Sequence, residues 1–184
     1  MVEFERQEMQ LQFDAKIVAL YKDILKTPDG KIVEYDYIKH KHGGGAGVLL
    51  VDEQESTYLV KQYRNSINGV DLEIPAGGYS YQGEEPQVCA VREAMEEVGL
   101  KPNRIYRVSD VVSSIGTFDE RTCVFVGTDL ENVERHLDDT EFIDIVRIPV
   151  SQARDMIYDG QIIDSKTVIA ILAYYDMKSR GIIS

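Results

Sequence analysis

An α/β/α sandwich around a mixed sheet, preceded by a β-hairpin arm, is the fold class that this sequence predicts. Three observations carry it. Strand-like runs lie on both sides of one sharply bounded helical segment, two further helical segments close the chain, and a strong turn signal splits two extended runs near its start.

The runs AKIVALYKDIL and KIVEYDYIKH flank Thr27-Pro28-Asp29-Gly30, so the extended stretch over residues 14–42 reads as a hairpin and residues 1–42 as an N-terminal arm. Gly43, Gly44 and Gly45 break the pattern, and a domain of residues 43–184 follows. AGVLLVD and STYLVKQYR are strand-like and share the polar turn DEQE, and Val70 to Ile74 lead into Pro75-Ala76-Gly77-Gly78. Pro86 suits a first helical position and Gly99 the residue just past a helix end, which predicts a helix over Pro86 to Val98. Arg104 to Ser113 and Thr122 to Gly127 read as strands, and the segment between them, Ser114 to Arg121, is a candidate functional loop. Asp138, Asp139 and Glu141 precede a strand near Phe142 to Ile148, after which SQARDMIYDG and SKTVIAILAYYDMKS read as helices.

The 184 residues suffice for one domain with a substantial core, and 43% hydrophobic with 28% charged residues describes an ordinary globular chain. A formal charge of −12 works against sequence-independent binding to nucleic acid or an anionic membrane. No apolar run approaches a membrane span, and MVEFERQEMQ has neither the basic segment nor the apolar core of a secretory signal, so a cytoplasmic protein is expected. Cys89 and Cys123 suggest no disulfide framework, and His40, His42 and His136 are too scattered for a metal triad.

Within the helix over Pro86 to Val98, Val88, Val91, Ala94, Met95 and Val98 fall on one arc, with Glu93, Glu96 and Glu97 almost opposite. Glu93 and Glu97, four apart, repel each other by about 0.2–0.5 kcal/mol in an isolated helix. A solvated acidic face is the plain explanation. Clustered carboxylates with open positions also suit Mg²⁺, or Mn²⁺, which keep waters and bind through a few acids together with substrate phosphates.

The segment from Gly78 to Leu100 resembles the Nudix box, G-x5-E-x7-R-E-U-x-E-E-x-G-U with U aliphatic. Gly78, Glu84, Arg92, Glu93, Ala94, Glu96, Glu97, Gly99 and Leu100 fill it in register. Beyond the box, Val60 to Arg64, Leu72 to Gly77, Ser114 to Arg121 and Gly160 to Thr167 are similar to the ADP-ribose pyrophosphatase branch of the Nudix hydrolases. The resemblance implies a Nudix-type α/β/α sandwich and metal-dependent hydrolysis of the pyrophosphate of ADP-ribose, or a related nucleotide sugar, to AMP and ribose 5-phosphate. It also implies a homodimer whose arms reach across to the partner, which would cover the apolar residues Ile17, Val18, Leu20, Ile24, Leu25, Ile32 and Val33.

Carried over residue by residue, the resemblance makes Glu93 and Glu97 the principal metal ligands, Glu96 a further or water-mediated one, and the Gly77 carbonyl a completing ligand. Arg92 would orient a carboxylate and limit repulsion, with Glu84 in support. Glu120 matches the loop carboxylate that positions or deprotonates the attacking water. Arg64 matches a phosphate-contacting arginine whose planar fork suits a pyrophosphate oxygen pair, Glu73 a residue touching substrate or metal, with a structural role near the sheet as the alternative, and Tyr35 an aromatic that stacks on adenine, with plain packing in the strand as the alternative.

Two departures stand out. The branch's Ser-Pro-Gly is here Ser114-Ile115-Gly116, which loosens the restriction to ADP-ribose, and one extra residue before Gly83-Glu84 leaves Ala76 competing with Gly77 as carbonyl donor. The competing readings are a Nudix hydrolase of a GDP-sugar or a dinucleotide and, from another class, a non-catalytic module that senses nucleotide sugars. In the latter the box is typically degraded, whereas here no box carboxylate is missing.

Overall fold

The structure is a computed structural model that describes residues 3–137 and 141–183. It forms two compact units, Met1–Gly44 with Val112–Arg121, and Gly45–Val111 with Thr122–Ser184.

In the first unit β1 (Glu5–Asp14), β2 (Val18–Lys26) and β3 (Ile32–His40) form an antiparallel sheet in the order β1-β2-β3. The hairpin expected from the sequence is β2–β3. Its turn closes as Thr27 Oγ1 accepts from the Lys31 amide at 3.0 Å while Gly30 takes a φ of 87°. The sheet has a further strand, β1, in the segment ERQEMQLQFD. Register sets Tyr21 against Tyr37 and Asp23 against Tyr35. The segment 112–121 belongs to the same unit. Ile38 and Phe118 form a parallel bridge, Ile38 N–H donates to Thr117 O at 2.7 Å, and Asp119 N–H donates to Ile38 O at 3.1 Å. Gly44 has to be glycine, since a Cβ there would lie 1.8 Å from Arg121 O and its φ is 130°.

The second unit contains, apart from the end residues Gly44, Val112 and Arg121, β4 (Gly44–Leu50), β5 (Ser56–Arg64), β6 (Gly69–Glu73), β7 (Ala76–Gly78), α1 (Pro86–Glu93), β8 (Leu100–Val112), β9 (Arg121–Asn132), β10 (Ile143–Pro149), α2 (Val150–Tyr158) and α3 (Ser165–Ser179). Its strands form two sheets, β7-β4-β9-β8 and β10-β5-β6. Side-chain alternation along the strands sends them into two cores. Ala46, Val48, Leu50, Val60, Cys123 and Phe125 pack with Cys89, Ala90, Ala94 and Val98 of the box helix. Leu49, Val51, Leu59, Val124 and Val126 pack with Val150 and Ala153 of α2 and with Ala170, Ile171 and Tyr174 of α3. One helix thus covers one face of the strands and two helices the other, the three layers that the sequence predicts.

Among the described residues no helix is long and apolar enough to cross a membrane. Asp138 and Asp139, which the sequence sets before β10, lie outside the described residues.

Candidate active site

The helix predicted over Pro86 to Val98 is α-helical only to Glu93. It continues as a π-helical turn over Ala94–Val98 and stops at Gly99, whose φ of 74° is left-handed. The wider turn shifts Glu96 and Glu97 round from where a uniform α-helix would carry them. Neither Glu93 nor Glu97 lies on a solvated face, for they are only 7% and 4% exposed. This corrects the simple acidic-face picture: two carboxylates are buried, and Glu96 alone of the three is partly open.

Arg92 is the hub of the cluster. Its Nη1 donates to Glu93 Oε1 at 2.6 Å and to Glu96 Oε2 at 2.9 Å, its Nε to Glu84 Oε1 at 3.2 Å, and its Nη2 to the Gly78 carbonyl at 2.9 Å. Glu84 Oε2 also accepts from the Ser80 amide at 2.7 Å, tying the loop before α1 to the same arginine. Burial works against the Arg92 charge, but Glu84, Glu93 and Glu96 outweigh it and hold the guanidinium more firmly protonated than usual. Burial also pushes Glu84 up, yet Arg92 and the Ser80 amide bring it below the ordinary carboxylate range.

One arginine shared among three acids does not neutralise the pair beneath it. Burial raises the Glu93 pKa, with Glu96 and Glu141 adding to the effect and Arg92 only partly opposing it. Burial pushes Glu97 up to about 8, helped by the charges of Glu93 and Glu141 and opposed by the Ala76 amide, which donates to Glu97 Oε2 at 2.9 Å. Arg135, outside every sequence motif, fixes the end of the turn by donating from Nε to the Glu97 carbonyl at 2.6 Å and from Nη2 to the Ile143 carbonyl at 2.9 Å.

Strand β7 runs against these acids. A Cβ at Gly77 would fall 2.2 Å from Glu93 Oε1, so only glycine lets backbone and carboxylate come so near. Ala76 spends its amide on Glu97, while the Gly77 carbonyl faces the Cys89 thiol at 3.5 Å. Among the described residues no three Asp, Glu, His or Cys side chains stand together in a geometry that would hold a metal ion, Glu93 and Glu96 being turned onto Arg92 and Glu97 onto Ala76. The donor set itself fits a hard divalent cation. The pKa values of two buried acids stay raised because their cationic neighbours, Arg92 for Glu93 and the charge of Arg64 for Glu97, only partly offset burial, and a carbonyl-bearing strand lies against Glu93.

Beside this cluster, Arg64 on β5 grips Glu73 on β6 with both arms of its fork, Nε to Oε1 at 2.6 Å and Nη2 to Oε2 at 2.7 Å. The sequence offers that fork to a phosphate pair; in the structure it is occupied by Glu73, and Nη1 is the edge that Glu73 leaves. Lys166 at the start of α3 adds a third bond to Glu73 Oε2 at 2.6 Å. Burial pushes Glu73 up, but Arg64 and Lys166 more than reverse this and hold it at about 2. The closing motif Asp164-Ser165-Lys166-Thr167 is thereby explained. Asp164 caps α3 by accepting from the Thr167 amide at 3.0 Å, Thr167 Oγ1 accepts from the Ile74 amide at 2.8 Å, and Lys166 is carried to Glu73. Lys166 and Asp164 are candidate site residues that the sequence showed only as part of a motif.

Glu120 and Tyr35 belong to the first unit. Glu120 Oε1 lies 3.8 Å from His40 Nε2, and Tyr35 lines, with Ile115, Phe118 and Asp119, a groove of about 730 Å³.

A NUDIX domain model matches residues 41–168. An ADP-ribose pyrophosphatase of Bacillus subtilis (strain 168) is 32% identical over 161 residues, which cover 86% of this chain and 85% of that one. A methanol dehydrogenase activator of Bacillus methanolicus is 31% identical over 161 residues with the same coverage, 86% and 85%. A crystal structure of an ADP compounds hydrolase shares the fold with a TM-score of 0.84 over 98% of this chain and 97% of that one, at 18% identity. The chain belongs to the NUDIX domain family, as a pyrophosphohydrolase related to the ADP-ribose pyrophosphatases.

Proposed function

We propose that this protein hydrolyses the pyrophosphate of ADP-ribose or a related nucleotide sugar, yielding AMP and ribose 5-phosphate from ADP-ribose. The observation that carries the reading is the buried, under-neutralised pair Glu93 and Glu97 beside the backbone of Gly77. Glu93, Glu96, Glu97 and the Gly77 carbonyl are the groups that would hold Mg²⁺ or Mn²⁺. When bound, the ion lowers the pKa of a water and offsets charge on the leaving phosphate.

The remaining work falls to the chain itself. Arg92 keeps Glu93 and Glu96 oriented and is in turn fixed by Glu84. Glu73, with Lys166, holds the Arg64 guanidinium flat so that its Nη1 edge meets a phosphate oxygen. Glu120 takes the proton of the attacking water as the new P–O bond forms and the bridging P–O bond breaks. Tyr35 offers a ring to the base. A homodimer joined through the arms completes the proposal, with the cytoplasm as its setting.

The test is a panel of ADP-ribose, other ADP-sugars, a GDP-sugar and a dinucleotide, each with Mg²⁺, with Mn²⁺ and with a chelator, products being separated by chromatography. ADP-ribose is expected among the better substrates, giving AMP, and Glu97→Gln is expected to slow it by roughly 10² to 10⁴. Undiminished turnover in the chelator, or in Glu97→Gln with saturating metal, would sink the assignment.

A further inference from the structure

We infer that His40 is a positioning residue for Glu120, holding that carboxylate in its working orientation through an Nε2–H contact. The inference rests on the reading of Glu120 as the proton acceptor.

His40 is the last residue of β3, and its side chain is 10% exposed against 32% for Glu120. The ring packs at centroid distances of 6.2 Å from both Phe118 and His42, so its plane is set by its neighbours. Nε2 lies 3.8 Å from Glu120 Oε1, while Nδ1 is buried with no hydrogen-bond partner among the described residues. Burying an N–H with nothing to accept it is costly, so the ring proton belongs on Nε2, facing Glu120. At 3.8 Å the contact is too long for a hydrogen bond. A small rotation of the partly exposed glutamate closes it, as catalytic hydrogen bonds commonly tighten once substrate is bound.

The backbone makes this pairing more than a chance neighbour. The amide of His40 donates to Asp119 Oδ1 at 2.7 Å, the amide of Asp119 donates to the Ile38 carbonyl at 3.1 Å, and the amide of Arg121 donates to the Gly43 carbonyl at 3.1 Å. Both residues flanking Glu120 are therefore tied to the strand end that carries the imidazole. While these bonds hold, the backbone at Glu120 stays beside His40, and only the side chain is left to turn. If the ring served only to fill space beside Phe118, phenylalanine would serve as well.

The experiment compares His40→Phe, His40→Gln, His40→Asn, Glu120→Gln and the double variant His40→Phe with Glu120→Gln on the best substrate of the panel. His40→Phe should lower kcat about tenfold while KM stays within about twofold. His40→Gln, whose amide N–H reaches the place of Nε2, should recover most of the rate, and His40→Asn, whose amide reaches only the place of Nδ1, should not. The double variant should be no slower than Glu120→Gln alone, because His40 has nothing left to position. A fully active His40→Phe, or losses that multiply in the double variant, would overturn the positioning role and leave the pyrophosphatase reading standing. Should His40→Phe fail to fold, equal rates for His40→Gln and His40→Asn overturn it. A fully active Glu120→Gln would instead remove the premise, taking the proton-acceptor role with it.

Discussion

The backbone of Gly77 and the carboxylate of Glu93 stand so close that a single methyl group on Gly77 would lie 2.2 Å from Oε1. The atom in the way is the far end of a flexible side chain, so Gly77→Ala is expected to fold and to push the carboxylate aside. Activity should fall by about 10- to 100-fold, with a raised requirement for divalent metal. Thermal unfolding together with a metal titration of the rate checks this. A variant of normal rate and normal metal requirement would show that the close approach has no part in catalysis.

The Glu73 cluster makes a prediction about acid. Its folded-state pKa, about 2, lies below the ordinary value of 4.5, so its contribution to stability is complete above pH 4.5 and is lost as pH falls towards 2. The shift corresponds to about 3 kcal/mol for this nearly fully buried group. Urea midpoints for the native protein and Glu73→Gln should differ most near pH 6 and converge towards pH 2.5. A difference that stays constant across this range would mean that Glu73 acts through packing alone.

Ile115 is 88% exposed and occupies the second position of a turn closed by the Thr117 amide on the Ser114 carbonyl at 2.9 Å. Proline is favoured at that position, so Ile115→Pro is expected to fold and to stiffen the loop, with a gain of roughly 0.4–1 kcal/mol. Because Ile115 lines the same groove as Tyr35, the ratio of kcat/KM for ADP-ribose over other nucleotide sugars should rise. An unchanged or lower ratio counts against a role for this loop in selectivity.

The first unit leaves Phe13, Ile17, Leu20 and Ile32 exposed, and Phe13 pairs directly with Leu20 across β1 and β2. An apolar sheet face of this kind fits a partner subunit. Light scattering at micromolar concentration should report a dimer, and Phe13→Asp with Ile32→Asp should shift it to monomer. A native protein that is monomeric at that concentration excludes the arm-mediated dimer.

The box acids, Arg92 and Gly78 were legible because one short segment carries them and helical spacing relates them. Their burial was not. The wheel that sets Glu93 and Glu97 opposite the core assumes a uniform α-helix, whereas the π-helical turn and the β7 strand packed beside it come from tertiary structure. The bond from Lys166 to Glu73 spans 93 residues, and no local pattern reports a partner at such separation. Strand β1 escaped notice because most of ERQEMQLQFD is polar and exposed, so hydrophobic alternation, the usual signal of a strand, is weak there.

The sharing of one compact unit by Met1–Gly44 and Val112–Arg121 limits how this protein can be cut or recombined. A chain trimmed to its last 140 residues would retain the box and both cores, yet the Ser114–Arg121 loop would lose Ile38, His40 and Gly43, the backbone partners on which it is laid. Low activity in such a truncation would report an unmoored loop as much as a lost dimer. Grafting the arm of one relative onto the body of another meets the same difficulty, and a chimera that respects the structure exchanges both segments together.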